Sequence, residues 1–578
     1  MCGIIGYRGT EDASEVVRKA LEKLEYRGYD SAGIATVGNP SLKIEKGEGT
    51  IDDVLDTEKL KEGLDGEVGI GHTRWATHGE VNDTNAHPHT GEEEHVAVVH
   101  NGIINNHEQL KEELDAEMKS DTDTEVIPHL IEIELQKTDD LKQVCENVME
   151  KIEGSYAVLA TLKTGEMLAM KEGSPLVVSE TDGEIFLGSD VTPFLDQIDS
   201  AYFFEDGDYA VIDENIRVFN DTREKDIEYE KINWDSGEAS KQGYDHFMEK
   251  EIHEQSKTIK RAALQDRKDM EEAVEMIEDA ERVYLTGCGT SSYAASLGAK
   301  YLRDAGYRVE VEQSHELEYR ADEITEDDLV IAISQSGETA DLLSLLDEVD
   351  AEVLSIVNVV GSTLDRQSEH TLYVNAGPEI GVASTKAFTA QLTVLKMIGY
   401  TAHGGLEAGR ESLIDTASKV EEVLEKNRET VDELSEYLQD KENVYFIGRS
   451  TGYDVARESA LKLKELSYIH AESFPGGEFK HGTLALIEEG TPVVGILSEE
   501  AQDEMMSNIA EAKSRGADII ASGEEKVDGF KQFIEVPEAD NSDILQVIPF
   551  QMLAYKTSLK KGNNPDKPRN LAKSVTVK

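Results

Sequence analysis

Two stretches of this chain carry the same short apolar strand, and each strand ends in glycine. Val283–Gly287 resembles Val444–Gly448, which begins 161 residues later, and Leu329–Ile333 resembles Pro492–Ile496, which begins 163 residues later. Two nearly equal offsets indicate a duplicated domain. The strands are apolar throughout and alternate with helical stretches, a pattern typical of a parallel sheet covered by helices. The sequence therefore predicts two tandem α/β domains with parallel sheets, joined by the helical stretch 414–439.

The first 220 residues follow a different pattern, in which short strands alternate with turns and a few helices. The strand candidates are residues 69–73, 96–100, 156–160 and 209–212. Mixed elements of this kind are typical of an α+β layered domain. The predicted organisation is a first domain at residues 1–220, a polar linker at 221–242, α/β domains at 243–413 and 414–565, and a tail at 566–578.

The chain is strongly acidic, with 119 Asp and Glu against 57 Lys and Arg and a formal net charge of −62. An anionic surface repels nucleic-acid phosphates and anionic membrane faces, so we expect neither as a partner. High net charge also occurs in disordered chains, but here the acids are spread among periodic apolar segments. The pattern favours a folded, halophilic protein whose acidic surface is screened in molar salt.

Cysteine usage indicates a reducing compartment. The three cysteines, Cys2, Cys145 and Cys288, are too few for a disulfide framework and include no CxxC pair. The first residues lack the basic-then-apolar order of a signal peptide, and no apolar run reaches the roughly 18 residues of a membrane span. These features predict a cytoplasmic protein without a membrane segment.

Cys2 stands directly after the initiator methionine. Removal of Met1 would leave a free α-amine on the same residue as the thiol. That amine has a reference pKa of about 7.7–8.0 and can act as a general base near neutral pH. The thiol, with a reference pKa of about 8.5, then needs little further activation to become a nucleophile. On position alone, an ordinary small residue on a first strand is the favoured interpretation, and the segments described next change that balance.

Three further segments supply groups that thiol-dependent acyl transfer needs. Arg74 and Trp75 follow a strand and offer a guanidinium for bidentate binding of a carboxylate and an indole wall. Asn101 and Gly102 end another strand, where a side-chain amide and a backbone N–H can form an oxyanion hole. Asp123 can bind an ammonium group.

These segments closely resemble an N-terminal-nucleophile glutamine amidotransferase domain. The matching stretches are residues 2–6, 26–33, 73–79, 85–88 and 100–104. The resemblance implies an αββα fold over roughly residues 2–220. It implies that Cys2 is the nucleophile, that the oxyanion hole is formed by Asn101 and Gly102, and that the glutamine pocket is formed by Arg74, Trp75, Thr77, His78 and Asp123.

Seven histidines fall between His72 and His107. No pair of Cys or His stands at zinc-site spacing with a matching second pair. The sequence therefore predicts no metal site, and most of these histidines are expected to be hydrogen-bonded loop residues.

Two loops in the first α/β domain have the form of an anion site. Gly287–Ser291 and Ser334–Thr339 each follow an apolar strand, turn through glycine and hydroxyl residues, and open a helical stretch. Backbone N–H groups at a helix N-terminus favour an anion, and ligands bind at the carboxyl ends of parallel strands. Ordinary N-capping would explain one such loop, but explains two less well. The matching segments of the second copy, 448–451 and 497–500, include two glutamates, so a phosphate is predicted in the first copy only.

A third cluster lies in the second α/β domain. Lys462 and Glu465 are three residues apart and so share one helix face, for which an exposed ion pair is the simplest interpretation. His481 follows in a glycine-rich segment, and the tail 566–578 is apolar enough to dock.

With segments 379–388 and 458–470, these loops and the tail strongly resemble the glutamine–fructose-6-phosphate aminotransferase (isomerizing) family. Together with the amidotransferase part, the resemblance covers nearly the whole chain. The residues that it implies for phosphate binding are Ser291, Ser334, Gln335, Ser336 and Thr339, and those that it implies for sugar contacts are Thr290, Val382 and Ala572.

The resemblance also implies catalytic roles in this half. Glu465 would move a proton between C1 and C2 of the sugar, with Lys462 nearby. His481 would assist ring opening, in a neighbouring subunit's site. Lys573 would form a Schiff base with the open-chain ketose.

The implied reaction joins the two halves. Glutamine would be hydrolysed at Cys2, and its ammonia would pass through an enclosed path, gated by Trp75, to fructose 6-phosphate, yielding glucosamine 6-phosphate. No cofactor is implied, and a homodimer or higher homo-oligomer is expected.

Two alternatives differ in what the halves do. A different amidotransferase of the phosphoribosyltransferase type would need an acidic pair after a strand to hold a metal–pyrophosphate, where this chain has Ser334–Thr339. A sugar-phosphate-sensing regulator would need none of the catalytic residues, yet both candidate sites are complete.

The acidity leads to a prediction about salt. We expect the melting temperature and the activity to rise with KCl into the molar range, because screening relieves repulsion among the acids. Exposed ion pairs, worth about 0–1 kcal/mol each, offset little of that repulsion. Melting curves between dilute buffer and about 3 M KCl measure the effect. A melting temperature that stays flat or falls across the series would contradict the halophilic interpretation.

Overall fold

The computed structural model describes residues 2–38, 41–56, 63–75, 79–114, 116–232 and 236–576. The chain divides into two compact units, Met1–Ser236 with Ala572–Lys578, and Gly237–Leu571. Within the described ranges, no helix has the length and apolar content needed to cross a membrane. In the same ranges, no group of three or more His, Cys, Asp or Glu side chains could hold a metal ion.

The first unit contains two antiparallel sheets. Their strands are β1 Gly3–Arg8, β2 Ser31–Val37, β3 Leu42–Glu48, β4 Val68–Arg74, β5 His89–Thr90, β6 Val96–Ile104, β7 Gly154–Leu162, β8 Met167–Glu172, β9 Val177–Thr181, β10 Glu184–Gly188, β11 Ser200–Phe203, β12 Tyr209–Ile212, β13 Ile216–Asn220, β14 Arg223–Lys225 and β15 Glu230–Lys231. One sheet has the order β15-β11-β9-β10-β1-β4-β2-β3, and the other β14-β13-β12-β8-β7-β6-β5. The four strands predicted from the sequence lie within β4, β6, β7 and β12.

Helices cover the outer faces of both sheets. The described helices of this unit are α1 Ala13–Leu24, α2 Ile51–Val54, α3 His107–Glu113, α4 Val126–Leu135 and α5 Leu141–Met149, with 3₁₀ turns at Glu25–Arg27 and Thr192–Phe194. Successive residues of a strand face opposite sides of its sheet. Accordingly, Val99 packs between the two sheets, while Val98 packs with Ile127 of α4 and Val144 of α5. On the other side, α1 packs on β1 and β4. The αββα prediction is confirmed.

The second unit contains two five-stranded parallel sheets of identical topology. The strands are β16 Val283–Gly287, β17 Val309–Gln313, β18 Leu329–Ser334, β19 Glu352–Val357 and β20 His370–Tyr373 in the first sheet, and β21 Asn443–Gly448, β22 His470–Pro475, β23 Pro492–Ile496, β24 Asp518–Gly523 and β25 Gln532–Glu535 in the second. Their orders are β17-β16-β18-β19-β20 and β22-β21-β23-β24-β25. In both sheets the second strand lies on one side of the first strand and the later strands lie on the other side, so the strand order reverses there. Ligands bind at such a switch point in open α/β sheets.

Helices surround both sheets. They are α6 Phe247–Ala263, α7 Arg267–Asp279, α8 Thr290–Asp304, α9 Ser314–Leu317, α10 Ala340–Asp347, α11 Thr363–Gln367, α12 Lys386–Ala402, α13 Leu406–Ser418, α14 Val420–Leu438, α15 Thr451–Ser467, α16 Gln502–Lys513 and α17 Ser542–Lys560, with 3₁₀ helices at Ser236–Ala239, Glu318–Glu323, Glu478–His481, Thr483–Leu486 and Glu499–Ala501. The duplication extends to backbone detail. Gly289 before α8 has φ 54° and ψ −127°, and Ser450 before α15 has φ 50° and ψ −130°. The predicted tandem parallel α/β folds are confirmed.

Candidate active sites

The Cys2 thiol lies against the end of β4. The backbone N–H of Trp75 donates to Cys2 Sγ at 3.2 Å, and Sγ lies 3.4 Å from the Trp75 carbonyl oxygen. Burial raises the pKa of the Cys2 thiol, whereas the Trp75 N–H and the Arg74 guanidinium lower it. The structure therefore holds a neutral thiol beside two groups that would stabilise its thiolate.

Asn101 lies next to Cys2. Its Nδ2 donates to the Cys2 carbonyl oxygen at 2.9 Å, which orients the amide because a carbonyl can only accept. Gly102 has a φ of +125°, and a Cβ at this position would lie 1.9 Å from the Ser155 carbonyl oxygen. Only glycine fits there, so the backbone beside Asn101 stays open to a close approach.

Arg74 and Asp123 are both buried, at 3% and 5% exposure. Burial lowers the pKa of Arg74, and the nearby Cys2, Asp30 and Asp123 raise it. One oxygen of Asp123 accepts the Ile104 N–H at 2.8 Å. A cation and carboxylates beside a thiol suit the two charged groups of an α-amino acid.

The remaining residues predicted for glutamine binding are Trp75, Thr77 and His78. The Trp75 ring packs edge-on against Tyr29, with centroids 5.7 Å apart. Thr77 and His78 lie outside the described residues.

Four histidines form a buried cluster that the sequence did not predict. His72 and His87 stack with centroids 4.2 Å apart, and the rings of His87 and His89 are edge-on at 4.7 Å. Thr124 Oγ1 lies 2.9 Å from both His87 Nε2 and His100 Nδ1. Burial lowers the pKa of all four, that of His72 to about 3. They are therefore neutral near pH 7, and three of them, His72, His89 and His100, lie on strands instead of loops.

In the second unit, β16 and β18 are neighbours, and both predicted phosphate loops leave their carboxyl ends. Ser334 Oγ accepts the Gly337 N–H at 3.0 Å and lies 3.2 Å from Thr339 Oγ1. Gln335 and Ser336 lie half-buried within the same turn. The sequence prediction that this turn gathers hydroxyl groups at the strand end therefore agrees with the structure.

The other loop connects the first copy to α15 of the second copy. Gln391 Nε2 donates to Ser291 Oγ at 3.1 Å. Lys462 Nζ donates to Thr290 Oγ1 at 3.1 Å. Residues predicted from separate segments, Thr290 and Lys462, are thus in direct contact.

Lys462 is buried, contrary to the simple interpretation of an exposed ion pair. Its side chain is 1% exposed, and Nζ lies 2.6 Å from Glu465 Oε2. A second glutamate, Glu458, lies one helical turn before Lys462 and is fully buried, and its Oε1 is 3.5 Å from Lys462 Nζ. Among the described residues, Glu458 Oε2 has no hydrogen-bond partner. Sequence reasoning missed Glu458, although its position four residues before Lys462 places it on the same helix face.

Burial is the main reason that the pKa of Glu458 rises to about 8, and Glu465 adds to the rise while Lys462 opposes it. Burial lowers the pKa of Lys462, but Glu458 and Glu465 together raise it above its usual range. Near pH 7 the cluster therefore contains a mostly neutral Glu458 carboxyl beside a charged ammonium.

This arrangement predicts a pH-dependent stability. The unfolded Glu458 ionises near its ordinary value of 4.5 and the folded one near 8, so the folded state binds more protons between these values and loses stability as pH rises. We expect Glu458→Gln to melt higher than wild type by a margin that grows from pH 5 to pH 8. Thermal melting at several pH values measures the margin, with Glu429→Gln on the exposed face of α14 as the control. A margin independent of pH would contradict a raised pKa at Glu458.

Val382 lies in a loop that a buried glutamate organises. Glu379 Oε1 accepts the N–H groups of Thr385 at 2.8 Å and Ala387 at 3.0 Å. Val382 is 7% exposed. Sequence reasoning matched this segment but assigned no role to Glu379.

The other residues predicted for this site are less directly connected. His481 is exposed on the 3₁₀ helix Glu478–His481, and no hydrogen bond within the described part of the chain links it to Lys462 or Glu465. Ala572 and Lys573 group with the first unit, so their roles at the sugar stay predictions.

The switch point of the second copy is a cavity of about 560 Å³, and eight of its nineteen lining residues are Asp or Glu. Ser450 Oγ, before α15, donates to Glu500 Oε2 at 2.6 Å, and Lys300 pairs with the same carboxylate. The N-terminus of α15 corresponds to the N-terminus of α8 in the first copy. In the second copy, the Glu500 carboxylate of the chain itself lies at this position.

Known families match parts of both units. A family described as "Glutamine amidotransferase domain" matches residues 72–196. A family described as "SIS domain" matches twice, at residues 276–399 and 437–559. The second result confirms the duplication predicted from the strand offsets.

Full-length relatives share one name. Proteins called glutamine–fructose-6-phosphate aminotransferase (isomerizing) from Thermococcus kodakarensis and Pyrococcus horikoshii are 44% and 43% identical to this chain. Each alignment covers 100% of this chain and 100% of the relative. The solved C-terminal domain of glucosamine-fructose-6-phosphate aminotransferase from Francisella tularensis is 34% identical, with a TM-score of 0.51, and covers 57% of this chain and 99% of that one. The chain therefore belongs to the glutamine–fructose-6-phosphate aminotransferase (isomerizing) family.

Proposed function

We propose that this chain hydrolyses glutamine in its first unit and uses the ammonia in its second unit to convert fructose 6-phosphate into glucosamine 6-phosphate. The relatives that it matches along its full length carry this activity in their names. The observation that carries the proposal is that one chain holds two different sites. One is a thiol next to an amide and a guanidinium, and the other is a pair of hydroxyl-bearing loops, one of which contacts the Lys462–Glu465 ion pair through Thr290.

In the first unit, Cys2 Sγ attacks the side-chain amide carbon of glutamine and passes its proton to the α-amine that removal of Met1 exposes. The tetrahedral oxyanion accepts hydrogen bonds from Asn101 and the Gly102 N–H. The α-ammonium returns the proton to the leaving nitrogen, which departs as ammonia. Water then cleaves the thioester, releasing glutamate and restoring the thiol.

Binding in the first unit uses the buried charges. Arg74 holds the α-carboxylate of glutamine, Asp123 holds the α-ammonium, and Trp75, Thr77 and His78 line the pocket. The Cys2–Trp75 contact at 3.2 Å and the shared electrostatics of Arg74 and Asp123 support this assignment.

In the second unit, the hydroxyls and backbone N–H groups of the two loops bind the phosphate, and Thr290, Val382 and Ala572 contact the sugar. The phosphate-binding residues are Ser291, Ser334, Gln335, Ser336 and Thr339. The Glu500 carboxylate at the equivalent place in the second copy supports one phosphate site per chain, since it would repel a second anion.

The chemistry there moves one nitrogen and one proton. His481 assists ring opening, and Lys573 condenses with the C2 ketone of the open sugar, releasing water. Ammonia displaces the lysine, and Glu465 transfers a proton from C1 to C2 to give the aldose. The water released here balances the water consumed by glutamine hydrolysis, so the sum is glutamine plus fructose 6-phosphate giving glutamate plus glucosamine 6-phosphate.

Three finer points complete the proposal. Ammonia becomes ammonium in neutral water and loses its nucleophilic lone pair, so we assign an enclosed path with Trp75 as its gate. A homodimer or larger homo-oligomer is supported by the exposed His481 and the 57% exposed Leu486 nearby in sequence. All three cysteines are free, which supports the reducing cytoplasm as the location.

Assays of glutamate and hexosamine phosphate with both substrates test the proposal. The expected result is equal amounts of both products. Glutamate without hexosamine phosphate would indicate an amidotransferase that acts on another acceptor, and binding of fructose 6-phosphate without either product would indicate a regulator.

A further inference from the structure

Asp566, where the C-terminal segment begins, is bound to the first turn of a distant helix. Its two carboxylate oxygens accept the backbone N–H groups of Phe247 and Met248, each at 2.9 Å. These residues open α6, whose preceding residue, His246, makes no capping hydrogen bond with its side chain. Asp566 therefore supplies, from across the sequence, the anionic acceptor that a helix N-terminus favours.

The backbone of Asp566 holds a second element. Its carbonyl oxygen accepts the Val382 N–H at 3.2 Å. Val382 is a proposed sugar contact, and Asp566 is itself only 7% exposed. One buried residue, Asp566, thus links the C-terminal segment both to α6 and to the loop that contains Val382.

Residues on either side of Asp566 are bound to the end of α15, the helix that carries Lys462 and Glu465. Asn563 Nδ2 donates to the Leu466 carbonyl oxygen at 2.9 Å. The Arg569 N–H donates to the Tyr468 hydroxyl at 2.7 Å, and the Arg569 guanidinium lies 4.1 Å from the centre of that ring. The segment 563–569 is therefore held against α6, the Val382 loop and the end of α15, and the last two of these elements carry proposed sugar-site residues.

We infer that Asp566 is a positioning residue for Lys573, which it places within reach of the sugar by fixing the start of the tail. This inference rests on the proposed function, in which Lys573 forms the imine. Lys573 follows seven residues after Asp566, and seven extended residues span at most about 25 Å. A short tether fixed beside the Val382 loop keeps the amine at high effective concentration near the ketose. A released tether would lower that concentration and misalign the attack.

Substitutions of Asp566 in the full chain test the inference. Asp566→Ala removes both acceptors, and Asp566→Asn replaces one acceptor oxygen with an N–H₂ group that faces a backbone N–H. Asp566→Glu retains a carboxylate. The matched control is Asp266→Ala, which removes an exposed capping aspartate from α7, where Asp266 accepts the Lys268 N–H at 2.8 Å.

The main readout is borohydride trapping of fructose 6-phosphate on Lys573, followed by mass spectrometry, together with glutaminase rate and melting temperature. We expect Asp566→Ala and Asp566→Asn to slow trapping and hexosamine phosphate synthesis about 10- to 100-fold at saturating sugar. Asp266→Ala should melt lower but trap at the wild-type rate. Glutaminase activity should stay at the wild-type level in all variants, and Asp566→Glu should recover part of the trapping rate.

The possible results distinguish a failure of the positioning role of Asp566 from a failure of the proposed role of Lys573. Normal trapping in folded Asp566→Ala and Asp566→Asn would overturn the positioning role, as would an equal loss in Asp266→Ala. If Asp566→Ala fails to fold, Asp566→Asn and Asp566→Glu decide between the same results. Wild-type enzyme that is trapped at another lysine would overturn the role of Lys573, and this inference with it.

Discussion

Replacing Cys2 with alanine is expected to abolish glutamine-dependent synthesis while leaving fructose 6-phosphate binding intact. Without Sγ no acyl-enzyme can form, and loss of a covalent nucleophile lowers turnover by roughly 10⁴-fold or more. The phosphate loops lie in the other compact unit, so the sugar site should keep its affinity. Glutaminase assays and calorimetric titration with fructose 6-phosphate measure the two properties separately.

Cys145→Ala is the matched control, because Cys145 is buried on α5 and takes no part in either site. It should retain both activities. Loss of sugar-phosphate binding in Cys2→Ala would contradict the separation of the two sites. Mass spectrometry of active wild-type enzyme should also show that Met1 is absent, since the mechanism needs the α-amine of Cys2.

Replacing Lys573 with alanine, or deleting the last ten residues, is expected to remove hexosamine phosphate synthesis while some glutaminase activity survives. The ketose then has no amine with which to form an imine, and we expect a loss of roughly 10³-fold or more, on the scale of a lost nucleophile. Borohydride reduction in the presence of fructose 6-phosphate should label Lys573 in the wild-type enzyme and leave Lys573→Ala unlabelled.

Lys526→Ala, at an exposed lysine before β25, provides the control for removing a positive charge from this acidic chain. It should be labelled at Lys573 as in wild type and should keep its synthesis rate. Label on a different lysine, or full synthesis by Lys573→Ala, would show that another group carries the imine.

The fold could be predicted because its signals are local. A fully apolar segment such as Leu329–Ile333 indicates a buried parallel strand from its own residues, and the offset between β16 and β21 requires only a comparison of two segments. The predicted loops after β16 and β18 met at one edge because parallel strands end on the same side of a sheet. The family resemblance then supplied roles that no spacing could supply.

The environment of each site residue depended on tertiary structure. The spacing of Lys462 and Glu465 is equally suited to an exposed pair, and only packing against α8 and α17 buries Lys462 and leaves Glu458 beside it. The pKa of Glu458 rises because burial removes water from its carboxyl group, and burial is not a property of a local pattern.

By itself, the sequence determined the tandem parallel architecture, the duplication, and which segments are candidates for the nucleophile and the phosphate loops, and the family resemblance added the αββα fold and the role predicted for Lys573. Only the tertiary structure decided that four histidines cluster beside Asn101, that Glu500 lies at the helix terminus of the second copy, and that Asp566 caps α6. Each of these contacts joins residues from separate segments of the chain; those of Asp566 join positions 318 and 319 residues apart. Periodicity and spacing report which face a residue lies on, whereas such contacts exist only once the packed chain brings distant segments together.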